Sequence, residues 1–368
     1  MGYESSTVEI MEGLKGKVNP SFWKDKKVFL TGHTGFKGSW LSLWLQSMGA
    51  VVKGYSLAPP TNPSLFLVAD VAKNMESQIG DIRDLGLLKE SILTFNPDVL
   101  IHMAAQPLVR LSYIEPVDTY TTNVIGTVNV LEAARNCPNL KAIVSVTTDK
   151  CYENKEWAWG YREDEPMGGH DPYSSSKGCA ELVTSAYRNS FFNSNDTAAL
   201  ATARAGNVIG GGDWADDRLI PDILKAFENS KSVIVRNPLS TRPWQHVLEP
   251  LSGYLVLAEQ LHAKGGEFAQ AWNFGPKDDD CKPVNWILDQ MVKTWGAGAA
   301  WELDQNNNPH EAGFLKLDCS KAKQKLHWEP QWNLEYTLGL IVNWHQAWSD
   351  GKNMHEQCLE EIANYSAR

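Results

Sequence analysis

Thr31-Gly32-His33-Thr34-Gly35-Phe36-Lys37-Gly38 is the stretch on which the fold turns. It follows a short apolar run, Val28–Thr31, that reads as a strand. It opens Gly38–Met48, where Trp40, Leu41, Trp44, Leu45 and Met48 fall at helical spacing. Glycines spaced G-x-x-G-x-x-G permit a tight turn and let backbone approach a pyrophosphate. The helix N-terminus adds N–H donors and the positive end of its dipole. The spacing alone is a weak signal, but between a strand and a helix near the start of the chain it is a strong one.

Outward from the loop, short apolar runs alternate with helical patterns. Strands are expected at Ala50–Tyr55, Ser77–Ile79, Val99–Met103, Ala142–Thr147 and Ala198–Arg204. Helices are expected near Leu85–Phe95, Val117–Asn136 and Ser174–Asn193. Parallel neighbours need crossovers, so the alternation implies an α/β fold with a Rossmann-type doubly wound parallel sheet. After about Gly206 the rhythm is lost among glycines, prolines, tryptophans and polar loops. We expect a flexible extension or cloning remnant over 1–19, and a nucleotide-binding domain over 20–206 plus about 233–262. A smaller, mixed α/β substrate domain is expected over 207–232 and about 263–368.

The 368 residues carry a net charge of −10, which argues against nucleic-acid binding because phosphate contacts need a basic face. No apolar run approaches the ~18–20 residues of a membrane span. The six cysteines, at 137, 151, 179, 281, 319 and 358, form no C-x-x-C pair. No structural metal site or disulfide framework is expected, and reduced, cytoplasmic thiols are the simplest reading.

The acid that usually ends the second strand and pairs with the ribose of NAD is missing. Ser56 stands there, in Gly54-Tyr55-Ser56-Leu57, and can bond a ribose hydroxyl without repelling a 2′-phosphate. Lys53 alternates away from Ser56, so no NADP clamp is evident either. Asp81 and Ile82, after the third strand, are candidate adenine contacts. Tyr173 and Lys177 lie four residues apart and share a helix face. A phenol of pKa ~10 is a poor base at neutral pH, and a nearby cation is expected to lower that value. Thr148-Asp149-Lys150 ends a strand in the second half of the unit, where ligands bind. Thr148 can donate to a hydroxyl, Asp149 can act as a general acid, and Lys150 can orient it or a ketone.

Gly32–Gly38, Tyr173 with Lys177, and His102-Met103-Ala104-Ala105 together resemble the extended short-chain dehydrogenase/reductase family of nucleotide-sugar enzymes. The resemblance covers about residues 20–345. Residues 32–40, 147–154, 204–214 and 242–247 resemble its 4,6-dehydratases in particular. It implies NAD as cofactor, CDP-glucose as substrate, a homodimer or homotetramer, and a place in deoxysugar biosynthesis such as that of lipopolysaccharide O-antigen.

The resemblance also implies roles for single residues. Gly32, Thr34, Gly35, Phe36, Lys37, Gly38, Ser56, Asp81, Ile82, Ala104, Ala105, Gln106, Asn123, Tyr173 and Lys177 would meet the cofactor. Gln106, Asn207 and Arg242 would meet the substrate. Tyr173 would take the sugar O4 proton during C4 oxidation, and Asp149 would protonate the departing C6 hydroxyl. Where better-known relatives carry a glutamate as the C5 base, this chain has Lys150, which leaves that base open. His33 replaces a small residue and is expected to touch the pyrophosphate or cap the turn. A 4-epimerase would keep Tyr173 and Lys177 but would not need Asp149 and Lys150. A non-catalytic NAD-binding protein would need none of the four.

Overall fold

Val28, Phe29 and Leu30 are wholly buried, as are Leu100, Ile101, Ile143 and Val144. Strands so apolar on both faces need cover on both sides, which parallel strands receive from their crossover helices. The computed structural model, which describes residues 16–194, 196–304 and 313–367, shows that arrangement. β1 (Lys27–Thr31), β2 (Val51–Ser56), β3 (Glu76–Ile79), β4 (Val99–His102), β5 (Ala142–Val146), β6 (Ala199–Ala205) and β10 (Ala271–Phe274) form one seven-stranded sheet. Its order is β10-β6-β5-β4-β1-β2-β3, with every pair parallel. Strand order reverses at β1, between β2 and β4, so a crevice opens there at the carboxyl ends.

One face is covered by α1 (Phe36–Ser47) and a later helix rich in leucine, Leu248–Lys264. The other face is covered by α2 (Leu85–Phe95), α3 (Gly126–Ala134) and α4 (Pro172–Phe191). A π-helical turn, Thr121–Ile125, leads into α3.

The remaining strands build two small sheets. β11 (Cys281–Pro283), β9 (Thr241–His246) and β7 (Asn207–Ile209) form one. β12 (Ala300–Leu303) and β8 (Ser232–Val235) form the other. A separate core joins them to α5 (Leu219–Glu228), α7 (Val284–Trp295) and α8 (Leu334–Ser349), counting Leu248–Lys264 as α6.

The domain expectations need correcting in three places. Val233–Val235 does not rejoin the first domain; β8 pairs with β12, and Val233 and Val235 pack in the smaller core. Conversely β10 is the outermost strand of the main sheet, and α9 (Met354–Ser366) packs on α1 through Met354, Cys358, Ile362 and Tyr365. Residues 1–15 of the expected extension lie outside the described residues. Residues 16–19 are docked, for the Asn19 backbone N–H donates to Glu259 at 2.9 Å and the Asn19 side chain caps the turn at Pro20–Trp23. All six cysteines are free thiols, and among the described residues no helix is long and apolar enough to cross a membrane.

Candidate active site

The loop after β1 is shaped by close approach. Gly32 has φ +80°, and a Cβ there would come within 2.8 Å of the Ala104 nitrogen. A Cβ on Gly38 would overlap the Gly32 carbonyl, so only glycine lets α1 start this close to the loop. Gly35 N-caps α1 without a side-chain cap, which leaves first-turn N–H groups facing the crevice. Around Gly35 an added Cβ would meet only the Gly32 carbonyl oxygen, at 3.5 Å. Bare N–H groups and open space beside them fit a pyrophosphate. The Thr34 hydroxyl meets the Ser56 hydroxyl at 2.9 Å and donates to the Leu57 carbonyl, so Ser56 stands beside the loop at the end of β2.

His33 turns toward the sheet. It is fully buried, its Nε2 meets the Ser77 hydroxyl at 2.7 Å on β3, and its ring fills the space above Gly54. Burial pushes its pKa down to about 4. The Asp81 carboxylate is held by Arg83, which also pairs with Asp118, and its pKa is lowered by those bonds. Ile82 is buried against Gly126.

On the other side of the crevice, the Thr31 hydroxyl accepts from the Met103 and Ala104 N–H groups at 3.1 Å each. That pins the turn carrying Ala104, Ala105 and Gln106. The Gln106 side chain then turns into the protein: its amide donates to Leu108 O and to the Thr119 hydroxyl, and its oxygen accepts from Leu108 N. The Asn123 amide is likewise spent on Gln106 and on the Ser176 hydroxyl. These two amides clasp the turn after β4 to the catalytic helix, because burial obliges each polar atom to find a protein partner.

The catalytic candidates converge. Thr148 donates to Asp149 Oδ1 at 2.9 Å, and its hydroxyl lies near enough to the Tyr173 phenol to act on its pKa. Asp149 is 1% exposed, and its Oδ2 has no protein partner. Burial raises its pKa, against the lowering charges of Lys150 and Arg242. The Tyr173 pKa does not fall as expected. Burial pushes it up to about 12, with the Thr148 hydroxyl pulling it down and the Asp149 charge adding to the rise. Desolvation of the phenolate outweighs any nearby cation. Lys177 is itself pushed down to about 8 by burial, with Glu181 opposing.

Two groups not singled out from the sequence join this cluster. Arg218, just before α5, pairs with Asp213 at 3.1 Å, and its charge acts on both Tyr173 and Lys37. Tyr254, on α6, accepts from Lys37 Nζ at 3.0 Å. Burial, with the charges of Lys177 and Arg218, pushes Lys37 down to about 7. Arg218 had one weak signal, a cation ahead of an amphipathic helix after Gly210-Gly211-Gly212-Asp213. Tyr254 had none, since it sits in a helix buried nearly all round. Asn207 and Arg242 lie on adjacent strands, with Asn207 opposite Trp244. Arg242 is close enough to stabilise the Asp149 carboxylate. Among the described residues no group of three acidic, histidine or cysteine side chains could hold a metal.

The crevice thus pairs a phosphate-shaped loop with a tyrosine, a lysine and a buried acid, ringed by Lys37, Arg218 and Arg242. The chain is 60% identical over 352 residues to a CDP-glucose 4,6-dehydratase of Salmonella typhimurium, covering 95% of this chain and 98% of that one. Its fold is similar to the dTDP-glucose 4,6-dehydratase of Bacillus anthracis solved with NAD, at TM-score 0.73 and 23% identity, over 89% of this chain and 98% of that one. It is also similar to the UDP-glucose 4-epimerase of Thermotoga maritima solved with UDP-glucose, at TM-score 0.75 and 21% identity, over 88% and 99%. The model of the family described as GDP-mannose 4,6 dehydratase matches residues 29–339, and the chain belongs to that family.

Proposed function

We propose that this chain dehydrates CDP-D-glucose to CDP-4-keto-6-deoxy-D-glucose, with NAD in the crevice above the glycine loop. The observation that carries the reaction type is Asp149, a buried carboxyl of raised pKa with one oxygen free of protein partners, beside Thr148, Tyr173 and Lys150. An epimerase has no use for such an acid. The cytidine base rests on the Salmonella relative, and NAD on the shape of the loop and on the dehydratase solved with it.

When bound, NAD supplies the hydride acceptor at C4 and the hydride returned to C6. Tyr173 takes the O4 proton, and Thr148 orients the same hydroxyl. Tyr173 acts as the phenolate, a form that the Arg218 charge favours against burial and the Asp149 charge. Burial raises the Asp149 pKa, which suits it to protonate the leaving C6 hydroxyl. Lys150 stabilises the enolate that forms once the C5 proton leaves. Arg218, Arg242 and Asn207 face the diphosphate, for which guanidinium groups supply paired donors.

The product enters deoxysugar biosynthesis, such as that of lipopolysaccharide O-antigen. Six free thiols suit a reducing cytoplasm. Ile114 (72% exposed), Val117 (75%) and Leu182 (61%) lie on neighbouring helices, an apolar face suited to a homodimer or homotetramer.

The test is CDP-glucose labelled with deuterium at C4, incubated with the protein and NAD⁺ and followed by mass spectrometry and proton NMR. Loss of one water with the label moved to C6 and no net NADH is expected. Inversion at C4 without mass change would establish epimerisation instead. Reaction only with dTDP-, UDP- or GDP-glucose would overturn the cytidine assignment.

A further inference from the structure

The proposed catalytic groups come from two elements, the turn after β5 and helix α4. Thr148 lies near the Tyr173 phenol. A second, stronger tie lies one layer below, around Glu181. This carboxylate is 5% exposed and sits one turn beyond Lys177 on α4. It accepts from the Thr147 hydroxyl at 2.5 Å and from the Thr202 hydroxyl at 2.8 Å. It also accepts from Arg204 Nε at 2.9 Å and Nη2 at 2.8 Å. Arg204 is 3% exposed and continues the network, donating to the Tyr152 hydroxyl at 2.7 Å. Tyr152 donates in turn to Asn273 on β10.

Such a buried pair is weak as a source of stability, because an apolar pair of the same shape often does as well. Its distinctive property is geometric: four directed bonds leave the carboxylate one position. Of its four donors, Thr202 and Arg204 belong to β6, at the back of the sheet end. Thr147 alone belongs to the catalytic turn, next to Thr148, and its own N–H is held by the Ala203 carbonyl at 2.9 Å. The bond from Thr147 to Glu181 therefore links the height of the turn to the height of the helix that carries Tyr173 and Lys177.

We propose that Glu181 is a positioning residue of the active centre, setting Thr148, Asp149 and Lys150 against Tyr173 and Lys177 through the Thr147 hydroxyl. The inference rests on the dehydratase reading, and turnover of the wild-type protein tests that reading separately.

Thr147→Val and Thr202→Val each remove one hydroxyl from the same carboxylate at nearly constant volume. Thr147→Val should lower kcat about tenfold, with KM for CDP-glucose within about twofold of wild type. Thr202→Val should lower Tm comparably while kcat stays within about twofold. Thr147→Ser restores the donor and should recover kcat to within about twofold. Equal kcat in the two valine variants, or no recovery with serine, would overturn the proposal. Glu181→Gln should reproduce the kcat loss, and the two threonine variants keep the test decisive if that protein fails to fold.

Discussion

The glycine loop after β1 and the catalytic turn after β5 lie at the same edge of one sheet and work by opposite means. The loop acts through what is absent: side chains that would overlap Gly32 O or press on Ala104 N are missing, and no side chain caps the first turn of α1. The turn acts through what is buried. Asp149, Tyr173 and Lys177 are nearly inaccessible, and each has its pKa moved by desolvation toward its neutral form. A loop built on sterics is intolerant of one methyl group. A turn built on displaced charge is sensitive to each proton.

The largest test of this contrast is Tyr173→Phe, which keeps the ring and removes the phenol. Turnover should fall about a thousandfold with little change in Tm, read by product NMR and thermal unfolding. Next is Lys150→Met. It should abolish solvent-deuterium incorporation at C5 while sparing initial C4 oxidation, seen as transient NADH absorbance; normal incorporation at C5 would remove Lys150 from the reaction. On the loop side, Gly38→Ala should weaken NAD binding about a hundredfold in calorimetric titration, because its Cβ displaces the Gly32 carbonyl. Wild-type affinity in that variant would mean that the loop is looser than its packing indicates.

The smallest effect is a pH dependence. Lys177 carries a pKa lowered by burial to about 8, and it shares a face of helix α4 with Tyr173, where its protonated form would favour the phenolate. Turnover should therefore decline as pH rises through about 8. A profile flat to about pH 10 would detach Lys177 from the phenol.

Legibility differed between the two halves of the chain for a physical reason. β1, β2, β4, β5 and β6 were expected within a residue or two, and so were α2 and α4. Strands buried on both faces must be apolar runs, and crossover helices must show a 3.6-residue stripe. β10 and α9 were not assigned to the nucleotide-binding core. They reach it from more than sixty residues beyond β6, and a contact at that separation leaves no local period. Val233–Val235 shows the converse: an apolar run identical in kind to a core strand pairs with β12 instead.

At the site the same division holds. Spacing alone placed the glycine loop, the Tyr173–Lys177 pair and the Thr148–Lys150 turn, because each is a local arrangement of the residue types its chemistry requires. Tertiary structure alone decided which protein partners hold the Gln106 and Asn123 amides, and that the His33 ring bonds Ser77 on β3. It alone brought Arg218 and Tyr254 to the crevice, and moved the pKa of Tyr173 up instead of down. Partners and burial are set by elements distant in sequence, and a proton's free energy depends on the whole of its surroundings.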